Sequence, residues 1–331
     1  MSDITIILPL KDRFSLTKRW ISFAKIYYKD FKILILDGSK NDKVDNYLNK
    51  NEIYNHLQIK YIRYEPDNTI QKYFNKLCDG ISKVKTEFSV LIDNDDFFNP
   101  HSIKKSLNFL NQNKDFSTCG GQHMQFSFTD NKKIKFYYDN VIHSNDENLP
   151  ILRLKKACAY KLALPLFYDV HRTKQIQQAY KYLRDMDSNE LQMVEIFPQF
   201  IDCLNGKNKK LNDLYLIREI QIKESAHKEY ILKTGSILNR LIYSEFANDY
   251  KKMIHQIIFH YQAMHNYKEE NFDNKINQCL FEYLSSLISP NKVKKNTLIN
   301  RFFNKIKNIR LYRSKNFEFI ANIKLFFYTN I

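Results

Sequence analysis

Between Ile4 and Ile92, short apolar runs alternate with helical patterns, and this alternation constrains the fold more than any other feature. Ile4 to Leu8 is a continuous apolar run, the pattern of a strand buried on both faces. Phe14 to Tyr28 follows as a helix, with Leu16, Trp20, Phe23, Ala24 and Tyr27 at helical spacing and Ser15 or Thr17 placed to cap it. Lys32 to Leu36 is a second buried strand, then a polar helix runs from about Asp42 to Asn55. Gln58 to Arg63 is a third strand, Ile70 to Val84 a helix, and Phe88 to Ile92 a fourth strand that ends in Asp93-Asn94-Asp95-Asp96. Strands and helices in this alternation imply an α/β fold with a parallel sheet and right-handed crossovers. A helix from Ser102 to Asn113 comes next, then strands at Gln122 to Phe128 and Ile134 to Tyr138 joined by the turn Thr129 to Lys133. From Leu152 the pattern is mainly helical, apart from a LYLIRE strand ending at Glu219, and Ile237 to Leu287 reads as all-helical.

Composition narrows the function classes. Only six of 331 residues are glycine, and they are too scattered for a G-x-G-x-x-G turn or a G-x-x-x-x-G-K-[ST] phosphate loop. The five cysteines include no C-x-x-C pair, which argues for a reducing compartment and against a disulfide framework or structural zinc. The N-terminus lacks a signal-peptide pattern, and no run of about 18 apolar residues suggests a spanning helix. The formal net charge is +16, but residues 291–331 hold ten basic residues against the single acid Glu318. The basic excess is therefore largely a property of the tail.

In open parallel sheets, ligands bind beyond the carboxyl ends of the strands. Strand one ends at Pro9-Leu10-Lys11-Asp12-Arg13, strand two at Asp37-Gly38-Ser39, and strand four at Asp93-Asn94-Asp95-Asp96. Carboxylates this close repel one another unless a cation offsets them, and a hard divalent ion takes such oxygen ligands. The same residues would also make a polar turn ahead of the next helix, since Asp and Asn favour turns.

ITIILPLKDR, KILILDGSKND and EFSVLIDNDDFFNP, in that order, resemble the family-2 glycosyltransferases of GT-A fold, over roughly residues 3 to 125. PLFYDVHRT, the helix holding Glu195, and GKNKKLNDLYLIRE are similar to a narrower bacterial subgroup and extend the resemblance to about residue 227. Strand two departs from the pattern: it ends in the single acid Asp37, where many relatives carry two. The resemblance implies a Rossmann-like nucleotide-diphospho-sugar transferase domain over 1–232, with a nucleotide-binding half to about 125 and an acceptor half beyond it. A helical region, 233–331, with a basic amphipathic tail would follow.

The resemblance also implies roles. Asp37 would contact the base or ribose of a nucleoside-diphosphate sugar; Pro9, Asp12, Arg13 and Gly38 would line the same pocket, and Asp93 would sit near the ribose. Asp95 and Asp96 would hold Mn²⁺ or Mg²⁺ bridging the two phosphates, with His227 as a further metal ligand or phosphate contact; His227 could instead be a surface or helix-capping residue. Transfer with inversion needs a general base, and the candidates are Asp185, Asp187, Glu190 and Glu195. Glu195, flanked by Met193, Val194, Ile196 and Phe197, matches the subgroup's helix acid; it could instead face solvent or pair with Arg184 or Lys207. His171 and Arg172 are candidates for acceptor or diphosphate binding, although Arg172 could pair with Asp169. His255, His260 and His265 are five apart, do not share a helix face, and read as structural.

From Leu298 to Leu311 apolar and basic residues interleave at helical spacing, which suits either an anionic membrane surface or docking on the protein. The leading expectation is a metal-dependent, inverting transfer to a glycan or glycolipid acceptor in bacterial surface glycan synthesis, O-antigen or capsule. The location expected is cytoplasmic, with peripheral association at the inner membrane and homo-oligomerisation left open. The alternatives are a non-catalytic GT-A-like sugar-binding or scaffold protein and a nucleic-acid binder. No recognition motif supports the latter, so no specific nucleic acid is expected.

Overall fold

A computed structural model describes residues 3–129, 133–138, 141–159, 166–220, 226–235, 239–240, 246–265, 271–288 and 316–330. The strands are β1 (Ile4–Leu10), β2 (Lys32–Asp37), β3 (Gln58–Arg63), β4 (Phe88–Leu91), β5 (Asp96–Phe98), β6 (Phe116–Phe128), β7 (Ile134–Tyr138), β8 (Val170–Arg172) and β9 (Lys207–Glu219). They form one sheet in the order β3-β2-β1-β4-β8-β6-β9-β5, with β7 beside β6. β3, β2, β1 and β4 are mutually parallel, as the alternation requires. β8 enters antiparallel between β4 and β6, and β6 runs parallel to β9. Consequently β1, β2, β3, β4, β6 and β9 all present their carboxyl ends at one edge of the sheet, while β8 presents its amino end there.

The helices are α1 (Phe14–Tyr27), α2 (Lys43–Lys50), α3 (Ile70–Ser82), α4 (Pro100–Gln112), α5 (Pro150–Ala159), α6 (Thr173–Asp185), α7 (Met193–Asn205), α8 (Ala226–Thr234), α9 (Ala247–His265), α10 (Phe272–Ile288) and α11 (Asn316–Asn330). α1 buries Thr17, Trp20, Ile21, Phe23 and Ala24, a stripe at helical spacing. α3 does the same with Phe74, Leu77 and Ile81. One hydrophobic cluster runs from Ile4 through the sheet to Phe327 in the last helix. The mixed, mostly parallel sheet flanked by helices is the α/β architecture that the sequence pattern implies.

The structure corrects several local expectations. Neither Ser15 nor Thr17 caps α1; the cap position is Arg13, in the left-handed region without a side-chain cap. α4 begins at Pro100, capped by Asn99, whose side chain accepts from the His101 N–H. The run before Gln122 is already strand, so β6 starts at Phe116. β5 and β8, three residues each, have no sequence signature at that length. All five cysteines are free and buried. No described helix is long and apolar enough to cross a membrane. The Leu298–Leu311 segment lies outside the described residues.

Candidate active site

At the carboxyl edge, the β1–α1 turn holds two consecutive residues at positive φ, Asp12 at 55° and Arg13 at 57°. Such a conformation costs a non-glycine residue about 1–3 kcal/mol and persists only where its surroundings enforce it. Here the Asp12 N–H donates to Ser39 Oγ at 2.7 Å, and Asp12 Oδ1 accepts from the Lys40 N–H at 3.0 Å, stitching the first turn to the second. The turn sends the Arg13 guanidinium to Asp95 Oδ2 at 2.6 Å.

Asp37, which ends β2, is fully buried. It accepts from the Ser39 N–H at 2.8 Å and the Tyr61 hydroxyl at 2.8 Å, and pairs with Arg63 at 3.1 Å. Burial, then the Asp37 hydrogen bond, pushes the Tyr61 hydroxyl above its ordinary range. Gly38 has a steric cause. A Cβ there would come within 2.4 Å of the Asp67 carboxyl, which pairs with Lys76 in the interior. Lys76 also donates to the Leu10 carbonyl at 2.8 Å, so this buried pair fixes the ends of β1 and β2 together. Pro9 is half-buried on β1, opposite Leu36.

Asp93, Asp95 and Asp96 follow β4, and one oxygen from each lies within 4.8 Å of the others. Asn94 fixes the loop by donating to Thr17 Oγ1 at 2.9 Å. Asp96 starts β5, whose antiparallel pairing with β9 sets it opposite Arg218, with Nε 3.1 Å from Asp96 Oδ2. Arg218 also donates to the Tyr168 hydroxyl at 2.8 Å and stacks over that ring at 4.6 Å. Tyr168 in turn donates to Asp93 Oδ2 at 2.9 Å. Each carboxylate thus commits Oδ2 to a protein donor, while Oδ1 engages no such donor among the described residues.

The electrostatics show a cluster short of positive charge. Burial, then the charge of Asp95, raises the Asp93 carboxyl against the opposing pull of Arg218, Tyr168 and Arg13. Burial raises Asp96 well above the carboxylate range, with Arg218 opposing and Asp95 and Asp93 adding to the rise. Burial would lower Arg218, but Asp96, Tyr168, Asp93 and Glu195 hold it above its ordinary value. Three close, hard oxygen donors with unrelieved repulsion suit a small divalent cation such as Mg²⁺ or Mn²⁺.

Glu195 lies in the first turn of α7. Burial, then the charge of Asp93, pushes its carboxyl up to about 7, with Arg218 opposing. Its alternative partners are engaged elsewhere: Arg184 with Asp185 at 2.8 Å and Lys207 with Asp115 at 3.0 Å. The loop ahead of α7 is pinned by Glu190, which pairs in the interior with Arg240 at 2.8 Å; Arg240 also donates to Gln192 at 3.0 Å.

Two sequence candidates lie away from this edge. Because β8 is antiparallel to β4, its residues run from Tyr168, beside Asp93, toward the opposite edge. His171 is buried in mid-sheet, with Nδ1 2.9 Å from Asp202; burial would lower it, and Asp202 raises it. Arg172 donates to the carbonyls of Phe116, Leu110 and Asn113 and approaches Glu87 at 3.8 Å, at the start of β4. Neither reaches the acid cluster. Nor does Arg172 pair with Asp169, which instead meets Lys210 at 2.5 Å. His227 is in α8, but its side chain lies outside the described residues. His260 bonds Asn205 at 2.7 Å, a structural contact.

Sequence reasoning missed Arg218 and Tyr168 as site residues, although both lie in segments singled out above. Arg218 was accessible by the same strand-end logic. What was missing was the neighbour of β9, since β5 is too short to recognise.

Residues 5–163 match the profile of the family described as Glycosyl transferase family 2. No curated protein matches the chain. Among solved structures, S. aureus TarS 1–349 aligns with a TM-score of 0.52 at 12% identity, over 93% of this chain and 78% of that one. The same fragment in complex with UDP-GlcNAc aligns with a TM-score of 0.51 at 14% identity, over 90% of this chain and 77% of that one. At these identities the likeness is one of fold. The family match, on this fold, makes residues 5–163 a family-2-like glycosyltransferase domain of GT-A fold.

Proposed function

We propose that the protein moves a sugar from a nucleoside-diphosphate sugar to a hydroxyl acceptor with inversion, and that it depends on Mn²⁺ or Mg²⁺. The observation that carries this reading is the convergence of Asp93, Asp95 and Asp96 at the edge where β1 and β2 also end. Asp95 and Asp96 would hold the cation, with His227 as a further ligand. When bound, the cation neutralises charge that builds on the departing diphosphate. Pro9, Asp12, Arg13, Asp37 and Gly38 line the nucleoside side, and Asp93 lies toward the ribose. Glu195 takes the proton of the acceptor hydroxyl; with a pKa of about 7 it is ionised enough to accept and basic enough to be useful. His171 and Arg172 are assigned no part in binding.

We retain as proposals the division into 1–232 and 233–331, a glycan or glycolipid acceptor in bacterial surface glycan synthesis, and a cytoplasmic location with the 291–331 tail at an anionic membrane. The test is donor hydrolysis and transfer with a panel of UDP-, GDP- and dTDP-sugars, with Mn²⁺ or with EDTA. Turnover should require the cation and fall by about 10²-fold or more in both Asp95→Ala and Glu195→Ala. Undiminished turnover in both variants would refute the assignment.

A further inference from the structure

We propose that Arg218 is an exchangeable counter-ion: it neutralises Asp96 while the donor site is empty, then releases Asp96 to the divalent cation and donates to the donor's diphosphate instead. This rests on the cation and nucleotide-sugar reading above.

The geometry supplies the reasons. The acid cluster is already served by protein donors, and two of these, Arg13 and Arg218, are cations. Asp96 is only 2% exposed, so a cation at its open Oδ1 would lie close to the guanidinium on Oδ2. The two positive charges repel, which weakens the hold of Arg218 on Asp96 once the cation is bound. Arg218 has the more exposed side chain of the two arginines. Its side chain is 40% exposed, against 22% for Arg13, and its backbone is fixed by the Asp96–Arg218 strand pairing. The guanidinium head can therefore turn about a stationary pivot while keeping contact with the Tyr168 ring, 4.6 Å away. A planar guanidinium suits two phosphate oxygens through parallel hydrogen bonds, better than the single Nε contact it makes with Asp96.

The exchange leaves a crossed signature that a purely structural arginine would not. In Arg218→Gln, Mn²⁺ alone should bind roughly three- to tenfold more tightly, because its competitor is gone; UDP or GDP with saturating Mn²⁺ should bind roughly tenfold more weakly. Free Mn²⁺ is counted by its electron paramagnetic resonance signal, and nucleotide binding by calorimetry, on the full chain. Weaker binding of both ligands, or unchanged nucleotide binding, would overturn the exchange. If the Gln variant does not fold, Arg218→Lys decides. It keeps the charge but loses the fork, so nucleotide binding should fall roughly threefold or more while Mn²⁺ binding stays within about twofold. Nucleotide binding equal to wild type would overturn the proposal. Asp95→Asn separates the two levels. If Mn²⁺ binds the wild type and is lost in Asp95→Asn, the cation site stands whatever Arg218 does. If Mn²⁺ does not bind the wild type, that reading fails and takes the exchange with it.

Discussion

A carboxyl group with a pKa of about 7 divides between acid and base forms at neutral pH, and Glu195 reaches that state through burial and the nearby charge of Asp93. Two consequences follow for this residue. If Glu195 is the base, kcat rises as pH climbs through about 7 and then levels off, and Glu195→Gln lowers kcat by about 10²–10⁴-fold while nucleotide affinity stays near wild type. A flat pH profile in the wild type would contradict the role. The stability effect has the opposite sign. The folded pKa lies above the ordinary 4.5, so the folded state holds the extra proton, and stability is lost as pH rises from about 4.5 through about 7. Glu195→Gln should therefore melt higher than wild type at pH 8, with the gain vanishing toward pH 4.5. The sequence made Glu195 visible because apolar neighbours announced its burial. It misplaced His171 and Arg172, because nothing in three residues of β8 reveals that this strand runs the other way.

At the scale of elements, α11 closes the back of the site. Phe327 is 3% exposed and packs against Phe126, Phe128 and Phe97 at ring distances of 5.1, 5.3 and 5.5 Å. Phe97 immediately follows Asp96. Arg19 of α1 lies 5.3 Å from the Phe327 ring centre and 5.6 Å from that of Phe97, and it also pairs with Glu219 at the end of β9. The last helix, the first helix, β5 and β9 thus meet around one guanidinium. Phe327→Ala should cost about 3–5 kcal/mol in a urea titration, since the cavity opens among rings that cannot collapse into it. A loss under about 1 kcal/mol would mean that α11 contributes little to the folded core. The parallel half of the sheet was legible because β1, β2 and β4 are continuous apolar runs with polar ends, and β3 followed from the spacing. The β5–β9 pairing and the docking of α11 were not, because both depend on contacts between residues more than 100 positions apart.

For the whole molecule, the sheet works as a platform: one edge collects the ends of β1, β2, β4 and β9, and with them Arg13, Asp37, the acid cluster and Arg218. Scarce glycine ruled out a phosphate loop; in the proposed function, hard carboxylates flanked by two arginines take its place. The net charge of +16 is concentrated in the tail and says little about this edge. The central claim is that the edge binds a nucleotide through a cation held by these acids. Its most direct test is thermal denaturation with UDP or GDP, with and without Mn²⁺, in wild type and Asp95→Ala. A ligand that binds only the folded state raises Tm. The account predicts a nucleotide-induced rise only when Mn²⁺ is present, and its loss in an Asp95→Ala protein that still melts cooperatively. A rise of equal size without Mn²⁺, or one that survives in Asp95→Ala, would contradict it.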